Sequence, residues 1–208
     1  MPANFVSNRD ETIPLFENPW LERLSHVHPA TPAVVFLPIV AWFGWQCLQN
    51  CSWLLAAGLV VLGLFIWTFT EYSLHRWVFH YQPTSTWGKR IHFLMHGIHH
   101  DYPRDSTRLV MPPSVSIPLA TLFWLAFRTL FGPDYQGIFA GFLIGYVAYD
   151  TIHYATHHWK SEGRLSRFLK EYHLRHHYQD DDRSFGVSSP LWDYVFGTLP
   201  KRPRDRAA

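Results

Sequence analysis

The sequence predicts an all-α integral membrane protein with four spanning helices and a cytosolic helical cap, on three observations. Charged residues make up only 16% of the 208 positions, against roughly 25% in ordinary soluble proteins. Charges are absent altogether over Leu24–Thr70, Leu109–Phe127 and Tyr135–Tyr149. Short turn signals interrupt the apolar stretches, at Gln46, Gln49, Asn50, Cys51 and Ser52 and again at Gly132, Pro133 and Asp134.

Residues 1–30 read as a cytosolic lead-in. Arg9, Asp10, Glu11 and Glu17 precede the first apolar run, without the basic start or small-residue cleavage site of a signal peptide. The lead-in meets the membrane around Trp20. Residues 31–200 form the membrane domain. A spanning helix needs about 20 mostly apolar residues to cross a hydrocarbon core of roughly 30 Å, so the first charge gap is long enough for two. They are placed at Thr31–Leu48 and Trp53–Thr70. A second hairpin is placed at Pro113–Phe131 and Tyr135–Tyr149. The polar segments Thr84–Met111 and His153–Thr198 are the helical cap, and residues 201–208 are a basic tail. Neither tight turn carries Lys or Arg. Arg76, Lys89, Arg90, Arg104, Arg108 and the tail all fall on the other side, so the positive-inside bias puts both termini and the cap in the cytosol.

Composition excludes several classes. The chain is too apolar to be disordered, and a net charge of +2 without a long basic run leaves no electrostatic footprint for nucleic acid. Cys47 and Cys51, the only two cysteines, lie in an apolar stretch at helical spacing and build neither a disulfide framework nor a thiolate zinc knuckle.

Histidine is over-represented, with 14 residues. His26, His28, His92 and His158 stand apart. The rest fall into His75 with His80, His96 with His99 and His100, His153 with His157, and His173 with His176 and His177. Residues at i, i+3 and i+4 share a helix face, so three of these groups each aim imidazoles toward a common point. His75 and His80 are about 140° apart on a regular helix and converge only if the helix is distorted there or an ion sits between them. An isolated histidine is an ordinary surface or core residue. Ten in spaced groups just beyond the ends of spanning helices read as metal ligands. Imidazole suits Fe, Zn, Cu and Ni, and ten ligands exceed one ion's capacity, so a dinuclear site is expected. Asp101, Asp150 and Asp180 lie beside the groups, placed to orient imidazoles through their second nitrogen. Asp150, one turn before His153 and next to Tyr149, is the first choice.

The order His-x4-His, His-x2-His-His, His-x3-His-His and His-x2-His-His resembles the fatty acid hydroxylase superfamily. Within it, Arg108-Leu-Val-Met-Pro-Pro113, Gly145-Tyr-Val-Ala-Tyr-Asp150, Tyr172-His-Leu-Arg-His-His-Tyr178, Phe185-Gly-Val-Ser and Trp192-Asp-Tyr-Val-Phe-Gly-Thr198 are similar to the fatty acid 2-hydroxylases. The resemblance implies a non-haem dinuclear centre, O2 as co-substrate, and hydroxylation at carbon 2 of a long acyl chain, free or carried in a sphingolipid. It places one ion on His75, His80, His96, His100 and His176, and the other on His99, His153, His157, His173 and His177. Iron is expected for activity because zinc is redox-silent, although zinc can take the same places in purified protein. An N-terminal cytochrome b5 domain needs a His-Pro-Gly-Gly loop, whereas His28-Pro29 is followed by Ala30-Thr31. Electrons are therefore expected from a separate donor of cytochrome b5 or ferredoxin type. Arg164, Arg167 and Lys170, with Lys89 and Arg90, read equally as a dock for an acidic carrier or as a rim meeting anionic headgroups.

The membrane is expected to be a bacterial inner membrane or an endoplasmic reticulum, with the site on its cytosolic side. An acyl chain has its carbonyl and carbon 2 near headgroup depth, where the histidines are expected. Two other readings compete. A sterol or carotenoid hydroxylase or desaturase would use similar boxes, but the Arg108–Pro113 and Trp192–Thr198 segments argue against it. A histidine-rich metal transporter should carry ligands at mid-span on broken helices, and these spans are free of histidine until their ends.

Overall fold

The structure, a computed structural model, describes residues 5–201; the basic tail from Arg202 onward lies outside the described residues. Every regular element among them is helical: α1 (Pro19–Ser25), α2 (Thr31–Asn50), α3 (Trp53–Ser73), α4 (Thr86–His92), α5 (Ile98–Asp101), α6 (Pro113–Phe131), α7 (Tyr135–His158), α8 (Arg164–Tyr178) and α9 (Leu191–Phe196). Two π-turns, Leu74–Phe79 and Phe93–Gly97, continue α3 and join α4 to α5, and a 3₁₀ turn at Gly132–Asp134 separates α6 from α7.

Four of the boundaries differ from the sequence reading, the first being that α3 ends at Ser73 and not at Thr70. Helix α2 runs through Gln46 and Gln49 to Asn50, whose amide donates to Gln46 O at 2.9 Å and to Gln136 Oε1 at 3.1 Å. Helix α7 continues past Tyr149 to His158. The first cap segment stops being helical at Asp101 rather than Met111. Tyr102 precedes Pro103, whose ring disfavours the helical conformation in the residue before it, and Tyr102 leaves it at φ −128°, ψ 62°.

Three stretches are long and apolar enough to cross a membrane: Thr31–Asn50, Trp53–Phe79 and Pro113–His158. The described residues divide into two compact units, one of residues 16–70 and 107–151 and one of residues 5–15, 71–106 and 152–201. In the first, α7 is the central helix. Its Ile138, Phe139, Phe142, Leu143 and Tyr146 are buried and meet rings from three sides: Phe36 and Phe43 of α2, Trp67 of α3 and Phe127 of α6. The outer faces of the surrounding helices are apolar and exposed, among them Val34, Leu37, Trp42, Leu54, Val61, Phe65, Leu122 and Leu130. Soluble proteins do not leave so large an apolar surface in water; lipid covers it. In the second unit the core is made of Tyr72, Ile98, Leu169, Tyr172, Phe185 and Val187 with the buried histidines.

Helices α3 and α7 touch backbone to backbone. A Cβ on Gly141 would lie 2.0 Å from the Val60 carbonyl oxygen, and one on Gly63 the same distance from that of Ile138. Small residues let membrane helices approach this closely and gain dispersion contact. Gly141→Ala should therefore force the pair apart and destabilise the protein by about 1–3 kcal/mol. Gly58→Ala, with nothing within 4 Å, should not. Thermal unfolding of both variants in detergent checks this, and equal stabilities would refute the close approach.

Candidate metal centre

The structure gathers the ten box histidines of the second unit into two sets. His75, His80, His96, His100 and His176 form one, and His99, His153, His157, His173 and His177 the other. Within each set, one nitrogen of every ring lies within 4.8 Å of all the others. His75 is in the first π-turn with His80 just after it, His96 in the second π-turn, His99 and His100 on α5, His153 and His157 in the last turns of α7, and the remaining three on α8. His26, His28, His92 and His158 join neither set. His158 stacks on Tyr154 instead, with ring centroids 4.4 Å apart.

The π-turn solves the spacing of His75 and His80. The His80 amide donates to His75 O at 3.1 Å, an i to i+5 bond that stacks residues five apart above one another. Their ring centroids come to 5.0 Å. In the second π-turn the Ile98 amide likewise reaches Phe93 O. The extra residue offsets His96 from the regular register of α5, and His96 and His100 then face one set while His99 faces the other.

The donor atoms can be assigned from their partners. A carbonyl oxygen only accepts, so the bond from His75 Nδ1 to Phe185 O, and that from His176 Nδ1 to Arg183 O at 2.7 Å, place a proton on Nδ1 in both rings. Their Nε2 atoms are bare lone pairs. His75 Nε2 sits 3.1 Å from His96 Nε2, which sits 3.0 Å from His100 Nε2. Among the described residues, His80 Nε2 and His176 Nε2 are buried without a hydrogen-bond partner. The other set is as crowded, with Nε2 pairs at 2.8 Å (His99 and His153), 2.9 Å (His157 and His173) and 3.1 Å (His173 and His177). Metal–imidazole bonds of about 2.1 Å put neighbouring ligand atoms of a right-angled site about 3.0 Å apart, which these spacings match. The residues fit a metal ion in each set. Burial pushes the imidazoles of His80, His96, His99, His173 and His177 well below their ordinary range, and those of His100 and His176 to about 3. These seven are uncharged at neutral pH and available as ligands.

Asp150, buried in the first unit, faces the Tyr146 hydroxyl and the Met111 amide of that unit, and Tyr149 packs on Trp67 with centroids 5.8 Å apart. Asp180 pairs with Lys201 at 3.2 Å and with Arg183 at 3.6 Å. At His75 and His176 the orienting acceptor is a main-chain carbonyl. Sequence reasoning missed the two carboxylates that hold that main chain, Glu71 and Asp193. The signals available were a lone charge closing an apolar run, at Glu71, and the acid inside the Trp192–Thr198 motif.

The family model for fatty acid hydroxylase matches residues 60–198. The chain belongs to the fatty acid hydroxylase family. A dihydroceramide fatty acyl 2-hydroxylase of Arabidopsis thaliana is 44% identical over 82% of this chain and 74% of its own length. The ceramide very long chain fatty acid hydroxylase of Saccharomyces cerevisiae is also 44% identical, over 89% of this chain and 49% of its own. The fatty acid 2-hydroxylase of Homo sapiens is 33% identical over 92% and 58%. The chain thus spans about half to three quarters of these relatives. A solved structure described as full-length scs7p, with only the hydroxylase domain visible, superposes with a TM-score of 0.84 at 40% identity, over 90% of this chain and 73% of that one.

Since His100 and His176 protonate only near pH 3 when folded and near 6.5 when unfolded, the unfolded chain binds more protons between these values. Stability is then complete above about pH 6.5 and declines as pH falls toward 3. Chelator-treated protein should show this decline in its thermal midpoint. A midpoint flat from pH 7 to 4 would contradict it.

Proposed function

We propose that the protein is a membrane monooxygenase that hydroxylates carbon 2 of a long acyl chain, free or in a ceramide. The observation that carries this reading is the pair of five-histidine sets in a chain whose relatives are 2-hydroxylases of fatty acyl and ceramide substrates. The sterol and transporter readings gain no such support. In the reaction, a C–H bond at carbon 2 becomes C–OH, one oxygen atom of O2 enters the product and the other leaves as water, with two electrons and two protons supplied from outside. A redox-active ion in each set, iron in the working enzyme, supplies O2 activation and attack on the unactivated C–H bond. The chain's own part is to hold ten uncharged nitrogens in place and keep water from them. Eight of the ten histidines are buried.

The electrons come from a separate carrier of cytochrome b5 or ferredoxin type. The protein is embedded in the membrane by four spans. As one helix, the stretch Pro113–His158, 46 residues long, would reach about 69 Å, more than twice a hydrocarbon core of roughly 30 Å. Gly132, at φ 54°, and the 3₁₀ turn that it begins divide the stretch into α6 and α7. The tight turns carry no Lys or Arg, which supports a cytosolic site.

Mass spectrometry of lipids from cells expressing the protein with a matching reductase system should find 2-hydroxylated acyl chains. Hydroxylation elsewhere on the chain, or on a sterol, would overturn the assignment. Iron-loaded protein should turn over and protein holding zinc alone should not. Substituting His80 or His99 should each abolish product, and activity surviving either loss would mean that one set suffices. Protease added outside right-side-out vesicles should leave the Lys201 region intact; cleavage there would refute the topology.

A further inference from the structure

The loop between α8 and α9 is held by two buried carboxylates through four consecutive amides. Phe185 N–H and Gly186 N–H donate to Asp193 at 2.9 and 2.8 Å, and Val187 N–H and Ser188 N–H donate to Glu71 at 2.7 and 2.8 Å. Both acids are almost fully enclosed, at 0% and 4% exposure. The N–H and C=O of a trans peptide point in opposite directions across one rigid plane. Gly186 N–H on Asp193 Oδ2 therefore aims the Phe185 carbonyl the other way, and there it meets His75 Nδ1. The plane two residues earlier repeats the device. Ser184 N–H donates to Thr198 O at 2.8 Å, and the opposite edge, Arg183 O, accepts from His176 Nδ1. Thr198 in turn donates its hydroxyl to Asp193 Oδ1 at 2.7 Å. At position 186 a Cβ would lie 2.0 Å from Ser189 O and 3.0 Å from Asp193 Oδ2, so only glycine lets the carboxylate reach this plane.

We propose that Asp193 is a positioning residue for the first histidine set, fixing the ring and tautomer of His75 through the Phe185–Gly186 peptide and, through Thr198, supporting the plane that orients His176. Metal-bound histidines commonly donate their second nitrogen to a carboxylate directly; here one peptide plane stands between acid and imidazole. Both rings that these planes orient belong to the first set; in the other set, among the described residues, His173 Nδ1 and His177 Nδ1 are buried without a hydrogen-bond partner. Loss of Asp193 should consequently act on one ion and spare the other. The inference rests on each set holding its own ion.

The test is metal stoichiometry and chelator competition on purified, metal-loaded, full-length protein. Asp193→Asn should weaken one of the two ions by about 10 to 100-fold, the usual loss when a partner of a ligand is removed, and leave the second at wild-type affinity. Glu71→Gln is the matched control, since it disturbs the same loop at Val187 and Ser188 but neither relay plane, and should keep both ions. If Asp193→Asn does not accumulate, Thr198→Val removes one contact of the same carboxylate while keeping its own main-chain bond to Ser184. It should weaken the same ion by less. Both ions held as in the wild type, both lost together, or an equal loss in Glu71→Gln would each overturn the proposal. His75→Ala and His173→Ala should each empty a different site. Failure of that pair would reject the two-ion reading, separately from the role of Asp193.

Discussion

Neutral imidazole nitrogens held about 3 Å apart, lone pair toward lone pair, repel one another unless a cation lies between them, and the second unit is organised around that repulsion. Burial depresses the imidazoles and denies them the proton that would otherwise relieve the crowding. The surroundings must then hold each ring against its neighbours until an ion arrives. They do so with devices that cost stability on their own. Two π-turns break the regular hydrogen-bond ladder where His75 and His96 stand, Ser184 takes a left-handed φ of 60°, and two carboxylates are withdrawn from water to hold one loop. Such costs collect where function requires them, and metal binding offsets them because its free energy is shared with folding.

Two of the helical stretches that carry histidines, α3 with its π-turn and α7, are also apolar stretches long enough to cross a membrane, and this division of labour explains the arrangement of apolar residues. Helix α7 is wrapped by rings of α2, α3 and α6 over its apolar part, then continues as the same helix into the segment bearing His153 and His157. Helix α3 likewise passes from its close contact with α7 at Gly63 into the π-turn that carries His75.

What the sequence made legible was whatever has a periodic or compositional signature. Charge gaps located α2, α3, α6 and most of α7, and the i, i+3, i+4 rule picked out the histidines on α5, α7 and α8. Geometry that depends on main chain was not legible. The five-residue spacing of His75 and His80 announced a distortion without saying which, because a π-turn has no composition of its own. The partners of the imidazoles were sought among acids adjacent in sequence, hence Asp150 and Asp180, whereas Phe185 O and Arg183 O act through atoms that every residue possesses. Their orientation depends on the amides across the same peptide planes, that of Gly186 held by Asp193 and that of Ser184 held by Thr198, residues that meet this loop only in the fold.

That dependence has a consequence for how the family motifs should be understood. Phe185-Gly-Val-Ser and Trp192-Asp-Tyr-Val-Phe-Gly-Thr198 contain no imidazole. In the structure they are two sides of one clamp. The first supplies the Phe185 carbonyl toward His75 and amides toward the acids, and the second supplies Asp193 and Thr198. Gly197, in the left-handed conformation at φ 70°, ends α9 so that Thr198 N–H returns to Asp193 O at 2.8 Å, bringing the Thr198 hydroxyl onto the same residue's carboxylate. Tyr72 and Arg76 extend the network from the π-turn side, with Arg76 donating to the Tyr72 hydroxyl at 2.8 Å and that hydroxyl lying 3.0 Å from Thr198 Oγ1. The turn that presents His75 and the loop that orients it are therefore tied to each other independently of any ion. A ligand ring held from both ends in this way has little freedom to lose when metal binds, which is the physical reason for keeping such motifs together with the boxes.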